Sequence, residues 1–72
     1  MQDRNAQYGE PTDTFRVIAA LWSAYLEQPI TPADAVILVS LLKVARLKAN
    51  PAHTDSWIDL AGYASIGGEL AT

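Results

Sequence analysis

Thr31-Pro32-Ala33-Asp34 opens a run, Ala35-Val36-Ile37-Leu38-Val39-Ser40-Leu41-Leu42, that is apolar almost all the way round a helix. Thr31 is a strong N-cap, and Pro32 falls at the first helical position, where its missing amide costs nothing. Asp34 occupies the third position, where a carboxylate favours the positive end of a helix. The β-branched residues also suit a buried strand, but the cap and the length of the segment decide for a helix from Pro32 to Lys48. A helix with no wet face must be central. In a chain of 72 residues with only two other helical segments, neither long, covering it on every side requires a second subunit.

Composition strengthens that expectation. Half of the residues are hydrophobic, and there is no cysteine, so neither a disulfide framework nor a thiolate metal site can compensate for a small core. A domain of this size buries only roughly 60% of the surface that its unfolded chain exposes. A net charge of −3 and a pI near 4.7 argue against a general nucleic-acid binder. The charges are uneven, however, with Lys43, Arg46 and Lys48 close together on an otherwise acidic chain, which suits a small anion better than a polymer. No stretch approaches the ~20 apolar residues needed to span a bilayer, and the start lacks the basic and apolar regions of a signal peptide. The expected location is the cytoplasm.

Around the central helix the chain reads as all-α. Residues 1–11 form a polar arm ending in the turn signal Tyr8-Gly9-Glu10-Pro11. Its two notable side chains are Arg4 and Tyr8; Tyr8 either packs as a lid on the core or stacks on a flat ligand whose charge Arg4 meets. A first helix is expected from Asp13 to Glu27, capped by Thr12 or Asp13, with Phe15, Ile18, Trp22, Tyr25 and Leu26 as its apolar stripe. Ala19, Ala20, Ser23 and Ala24 offer a small-residue surface for close approach. Asn50-Pro51 stops the central helix, and Thr54 caps a third one that runs to Glu69. Trp57, Ile58, Leu60, Ala61, Ala64 and Ile66 are its apolar residues. Gly62 in mid-helix costs roughly 1 kcal/mol relative to Ala, which points to a close backbone approach there. Gly67-Gly68 should end or fray the helix.

The five-residue connection makes the second and third helices an antiparallel hairpin. Lys43 then stands at the height of Asp59, and Arg46 at the height of Asp55, while Asp55, Asp59 and Tyr63 share one face of the third helix. Three explanations fit this cluster. Interhelical ion pairs can fix the register of a small bundle. A Mg²⁺ site can draw on His53, Asp55 and Asp59, with Lys43 and Arg46 holding ligand phosphates. An anion pocket without chemistry can use Lys43, Arg46 and Arg16 on phosphate oxygens, with Tyr8, Trp22 or Tyr63 stacking on a base. His53, just before a helix, is more ordinarily a cap or a surface residue than a ligand. No serine–histidine–acid arrangement or Gly-rich phosphate loop is present.

Asp3-Arg4, Tyr8-Gly9-x-Pro11, Phe15-Arg16-x-Ile18-Ala19-x-Leu21-Trp22, Leu42-Lys43-x-Ala45-Arg46 and His53-x-Asp55-Ser56-Trp57-x-Asp59-x-Ala61-Gly62-Tyr63 together resemble a group of small phage and prophage proteins of uncharacterised function. That resemblance implies a phage origin and an all-α fold. The basic helix followed by Asp-x-x-x-Asp is also similar to the second half of the MazG-type nucleotide pyrophosphohydrolases, oligomers with a Mg²⁺ site between four helices. Their Glu-Glu-x-x-Glu cluster on an earlier helix is missing here, where the first helix offers Glu27 alone. What this resemblance implies is a nucleotide-binding role without chemistry, as in the small oligomeric phage proteins that sequester signals of host immunity. The sequence thus leads to a three-helix subunit that self-associates and binds a phosphorylated nucleotide through Arg4, Tyr8, Arg16, Lys43, Arg46, Asp55, Asp59 and Tyr63. It needs no cofactor, and Mg²⁺ enters only if the chain is a hydrolase.

Overall fold

A computed structural model describes residues 10–72. Three helices follow one another: α1, Pro11–Leu26; α2, Pro32–Ala49; and α3, Thr54–Ala71. There is no strand among the described residues, and α2 packs most extensively against α3 and next against α1. The all-α expectation holds, and the apolar run at Val36–Leu42 is helical throughout.

The α2 start follows the sequence signal closely. Thr31 Oγ1 accepts the Asp34 amide at 3.0 Å, and Asp34 Oδ2 accepts the Thr31 amide at 3.0 Å, so each residue satisfies the other's free donor. The other two starts differ from expectation by a residue or more. Helix α1 begins at Pro11, with Glu10 as an N-cap that makes no side-chain cap bond, so neither Thr12 nor Asp13 caps it. Proline at the first helical position fixes φ where a helix needs it, which extends the helix into what reads as a turn. Helix α3 is capped by His53 rather than Thr54. The α1 end carries Glu27 in the left-handed region (φ 54°), the position where glycine is favoured. Ser23 ties the following connection, its hydroxyl donating to the Ile30 carbonyl at 3.2 Å and accepting the Ile30 amide at 2.9 Å.

The core is small. Phe15 and Ala19 of α1 meet Ala35 and Val36 of α2, and Ile18, Trp22, Ile30, Val39, Tyr63, Ile66 and Leu70 pack around them. Burying a large apolar side chain stabilises by roughly 1.5–3 kcal/mol, and among the described residues only Phe15, Val36 and Leu47 are both large and buried. Helix α3 continues through Gly67 and Gly68 to Ala71, against expectation. Ile66 and Leu70 hold this last stretch on the core, and packing of that kind outweighs weak helix propensity. The close approach expected at Gly62 is not found: a Cβ there would meet nothing within 4 Å, and one at Gly67 would stand at ordinary contact distance, 3.5 Å, from Val36 Cγ1.

Candidate functional site

The hairpin of α2 and α3 brings Lys43 and Asp59 together as expected. Lys43 Nζ lies 2.8 Å from Asp59 Oδ2, with the lysine side chain 14% exposed and the aspartate 43% exposed. Lys43 follows Val36 and Val39 on the inward side of α2, so its stem runs through the inter-helix seam and its ammonium emerges beside α3. The second expected pair does not form. Arg46 and Asp55 are both exposed, and neither makes an ion pair with a described residue. One clasp closes the hairpin, not two.

The other expected site residues scatter. Arg16 bonds within its own helix, Nη1 donating to Asp13 Oδ1 at 3.0 Å on the exposed side of α1. Tyr63 turns into the core, edge-on to Phe15 with ring centroids 6.0 Å apart and planes at 80°. That geometry contributes roughly 0.5–1.5 kcal/mol beyond burial and takes the ring away from any ligand at the hairpin mouth. His53 caps α3: its Nδ1 accepts the Ser56 amide at 3.3 Å and lies 2.7 Å from Ser56 Oγ, a side chain wholly buried. Arg4 and Tyr8 lie outside the described residues. No three of His, Asp or Glu converge among the described residues, so His53, Asp55 and Asp59 do not form one cluster of donors.

The surface carries a different feature. Among the described residues, eleven large hydrophobic side chains stand exposed, more than twice the number of hydrophobic residues that are buried. Val17, Leu21 and Tyr25 line the outside of α1, with Tyr25 83% exposed; Ile37, Leu38, Leu41, Leu42 and Val44 line the outside of α2. Trp22, Tyr25, Leu26 and Leu38 enclose a hollow of roughly 220 Å³ between α1 and α2, with no charged residue in its lining. Trp57 and Ile58, counted above among the apolar residues of the third helix, are exposed on α3, and the Trp57 indole donates to the Pro51 carbonyl at 2.8 Å. Single exposed apolar residues are ordinary, but exposed apolar side chains in this number on three helices of so small a chain are not accounted for by its core. The sequence signal for it was the apolar run itself, which leaves the exposed side of α2 no wetter than the buried one.

Comparison with known proteins bears on the origin of this arrangement. The model of the family described as Domain of unknown function (DUF6378) matches residues 1–71. The chain belongs to the DUF6378 family. It is 47% identical over 62 residues to the Gene 55 protein of Mycobacterium phage D29, covering 86% of this chain and 41% of that protein. It is 39% identical over 64 residues to the Gene 55 protein of Mycobacterium phage L5, covering 88% of this chain and 41% of that one. This DUF6378 chain therefore spans about two-fifths of the length of the curated relatives it matches. The expected kinship with phage proteins of uncharacterised function is found. No solved structure matches. Among the described residues no helix is long and apolar enough to cross a membrane.

Proposed function

We propose that this DUF6378 chain is a non-catalytic, self-associating helical module, which works by packing its outer apolar surface onto copies of itself in the cytoplasm of a phage-infected host. The observation that carries the reading is the exposed apolar surface of α1 and α2, which is larger than the core it encloses. The Lys43–Asp59 clasp supports it from the other side: the cation best placed to grip a ligand is engaged by a carboxylate, and the one hollow described is apolar. In relatives more than twice as long, the same module would hold copies of a larger protein together.

Methyl resonances of Ile37, Leu41 and Val44, measured with a dissolved paramagnetic probe, test the reading. Self-association predicts that they are bleached about as slowly as buried Val36. Bleaching at the rate of open surface, at protein concentrations of roughly 100 µM, would refute it.

Arg46 favours a second reading. It is exposed, without an ion pair among the described residues, and shares the hairpin end with Lys48. Two such cations fit a phosphorylated nucleotide held between subunits, the role that the sequence suggests. Isothermal titration with cyclic di- and trinucleotides and with nucleoside triphosphates tests it, and absence of heat from all of them removes it. A Mg²⁺-dependent hydrolase has less support, because the described carboxylates do not converge.

A further inference from the structure

The outer side of α2 has a pattern that the core does not explain. Asp34, Ile37, Leu41, Val44 and Lys48 follow one another at alternating spacings of three and four, and Leu38 and Ala45 complete the same stripe. Spacings of that kind keep side chains on one face along a helix and form the seam of a paired helix. The middle of the stripe is apolar and exposed, Leu41 at 55%. Its two ends carry opposite charge, Asp34 in the first turn and Lys48 in the last.

We infer that α2 pairs with α2 of a second copy, antiparallel and about a two-fold axis passing beside Leu41. This deepens the self-association reading and rests on it. Asp34 and Lys48 lie seven residues either side of Leu41, so the two-fold sets Asp34 against the partner's Lys48 and repeats the pair at the other end. Ile37 and Ala45 lie four either side, and Leu38 and Val44 three either side, so a large side chain meets a smaller one in both pairs. A parallel pairing would oppose like charges at both ends and align the two helix dipoles; the antiparallel one reverses both. Asp34 Oδ2 already accepts the Thr31 amide, and a carboxylate has further lone pairs for an ammonium.

The area is also adequate. The exposed parts of Ile37, Leu38, Leu41 and Val44 amount to roughly 400 Å². Leu42, Leu21 and Tyr25, of which Tyr25 shares the hollow with Leu38, raise the exposed apolar area available to at most about 800 Å² per subunit, the size of one side of a standard stable interface.

The chain has no cysteine, so a single one placed on the axis reports the seam directly. Leu41→Cys sets the new thiol against its own copy, within reach of a disulfide. Under one mild oxidant it should form a covalent dimer at least roughly ten times faster than Ala20→Cys, whose side chain is exposed on α1. Lys48→Glu should weaken dimerisation roughly tenfold in sedimentation equilibrium, because two attractions become two repulsions, and Lys48→Arg should stay within about threefold of the natural chain. If sedimentation shows association but Leu41→Cys reacts no faster than Ala20→Cys, this seam is overturned and self-association stands. If the natural chain remains monomeric from about 1 to 100 µM, both are overturned.

Discussion

Asp59→Asn and Lys43→Met act on the same bond but should have very different costs. The Lys43 side chain as a whole is largely withdrawn from water, at 14% exposure, and Asp59 is the acceptor that compensates its ammonium. Asparagine at position 59 keeps a hydrogen-bond acceptor yet removes the countercharge, leaving a partly buried cation with a neutral partner. A fully buried broken pair costs about 3–5 kcal/mol and an exposed one about 0.2–1 kcal/mol. With Asp59 itself 43% exposed, water takes up part of the loss, and the expected cost of Asp59→Asn is about 1–2 kcal/mol. Lys43→Met removes the charge that needed compensating and lets an unbranched apolar chain follow the same path along the seam, so it should change stability by less than about 0.5 kcal/mol. The double variant should resemble Lys43→Met alone. Urea unfolding followed by circular dichroism measures all four proteins, each at several protein concentrations so that association is separated from subunit stability. For a domain of this size 1 kcal/mol corresponds to a shift of roughly 4–8 °C in Tm. A costly Lys43→Met combined with a neutral Asp59→Asn would refute the clasp. The lysine would then act through something other than Asp59.

Three further substitutions probe local features. Glu27→Gly should stabilise the subunit by about 1 kcal/mol in the same unfolding assay, because glycine occupies the left-handed region without a Cβ penalty and Glu27 has φ 54°. Thr31→Ala removes the hydroxyl that accepts the Asp34 amide and should cost about 1 kcal/mol, read as a lower midpoint with an unchanged denaturant slope. Gly62→Ala should stabilise by roughly 0.8–1 kcal/mol, since the new methyl meets nothing within 4 Å in the subunit and alanine is the better helix former. A loss of association in that variant, measured by sedimentation, would place Gly62 against another chain.

How much of this was legible beforehand follows from the range of each interaction. Thr31 and Asp34 are three residues apart and bond only to each other's backbone, so their geometry could be read directly from the residue types. Lys43 and Asp59 required one further step, the short connection that makes α2 and α3 antiparallel, and helix rise then set their heights. Arg46 and Asp55 share that logic and still do not pair. Height alone says nothing about which way a side chain leaves its helix, and both are exposed beside the connection. Tyr63 misled for a related reason: it lies one turn from Asp59, but a phenol ring beside Phe15 gains more from the core than from the hairpin mouth. His53 against Thr54 was decided by the buried Ser56, whose hydroxyl and amide both converge on the imidazole. No local pattern in the sequence marks that serine as buried.

Helix α3 shows most clearly what periodicity leaves open. Trp57, Ile58, Ala61 and Ala64 look like an apolar stripe, and so do Leu60, Tyr63, Ile66 and Leu70, the set that turns inward. A helix apolar on two sides has no intrinsic preference between them, and the choice falls to the neighbours. Tyr63, Ile66 and Leu70 pack on the cluster formed by Phe15, Ala19, Ala35 and Val36, and Tyr63 adds an edge-on contact with the Phe15 ring. The side not chosen remains apolar and exposed, as it does on α2. Chains selected to work as isolated monomers place polar residues on such surfaces, because exposed apolar patches invite aggregation. Keeping them on two helices of a chain with so few residues to bury is what the proposed self-association would require. In that proposal the Lys43–Asp59 pair would have a definite part: by holding the register of α3 against α2, it would keep the outer α2 stripe a single surface for a second copy to match.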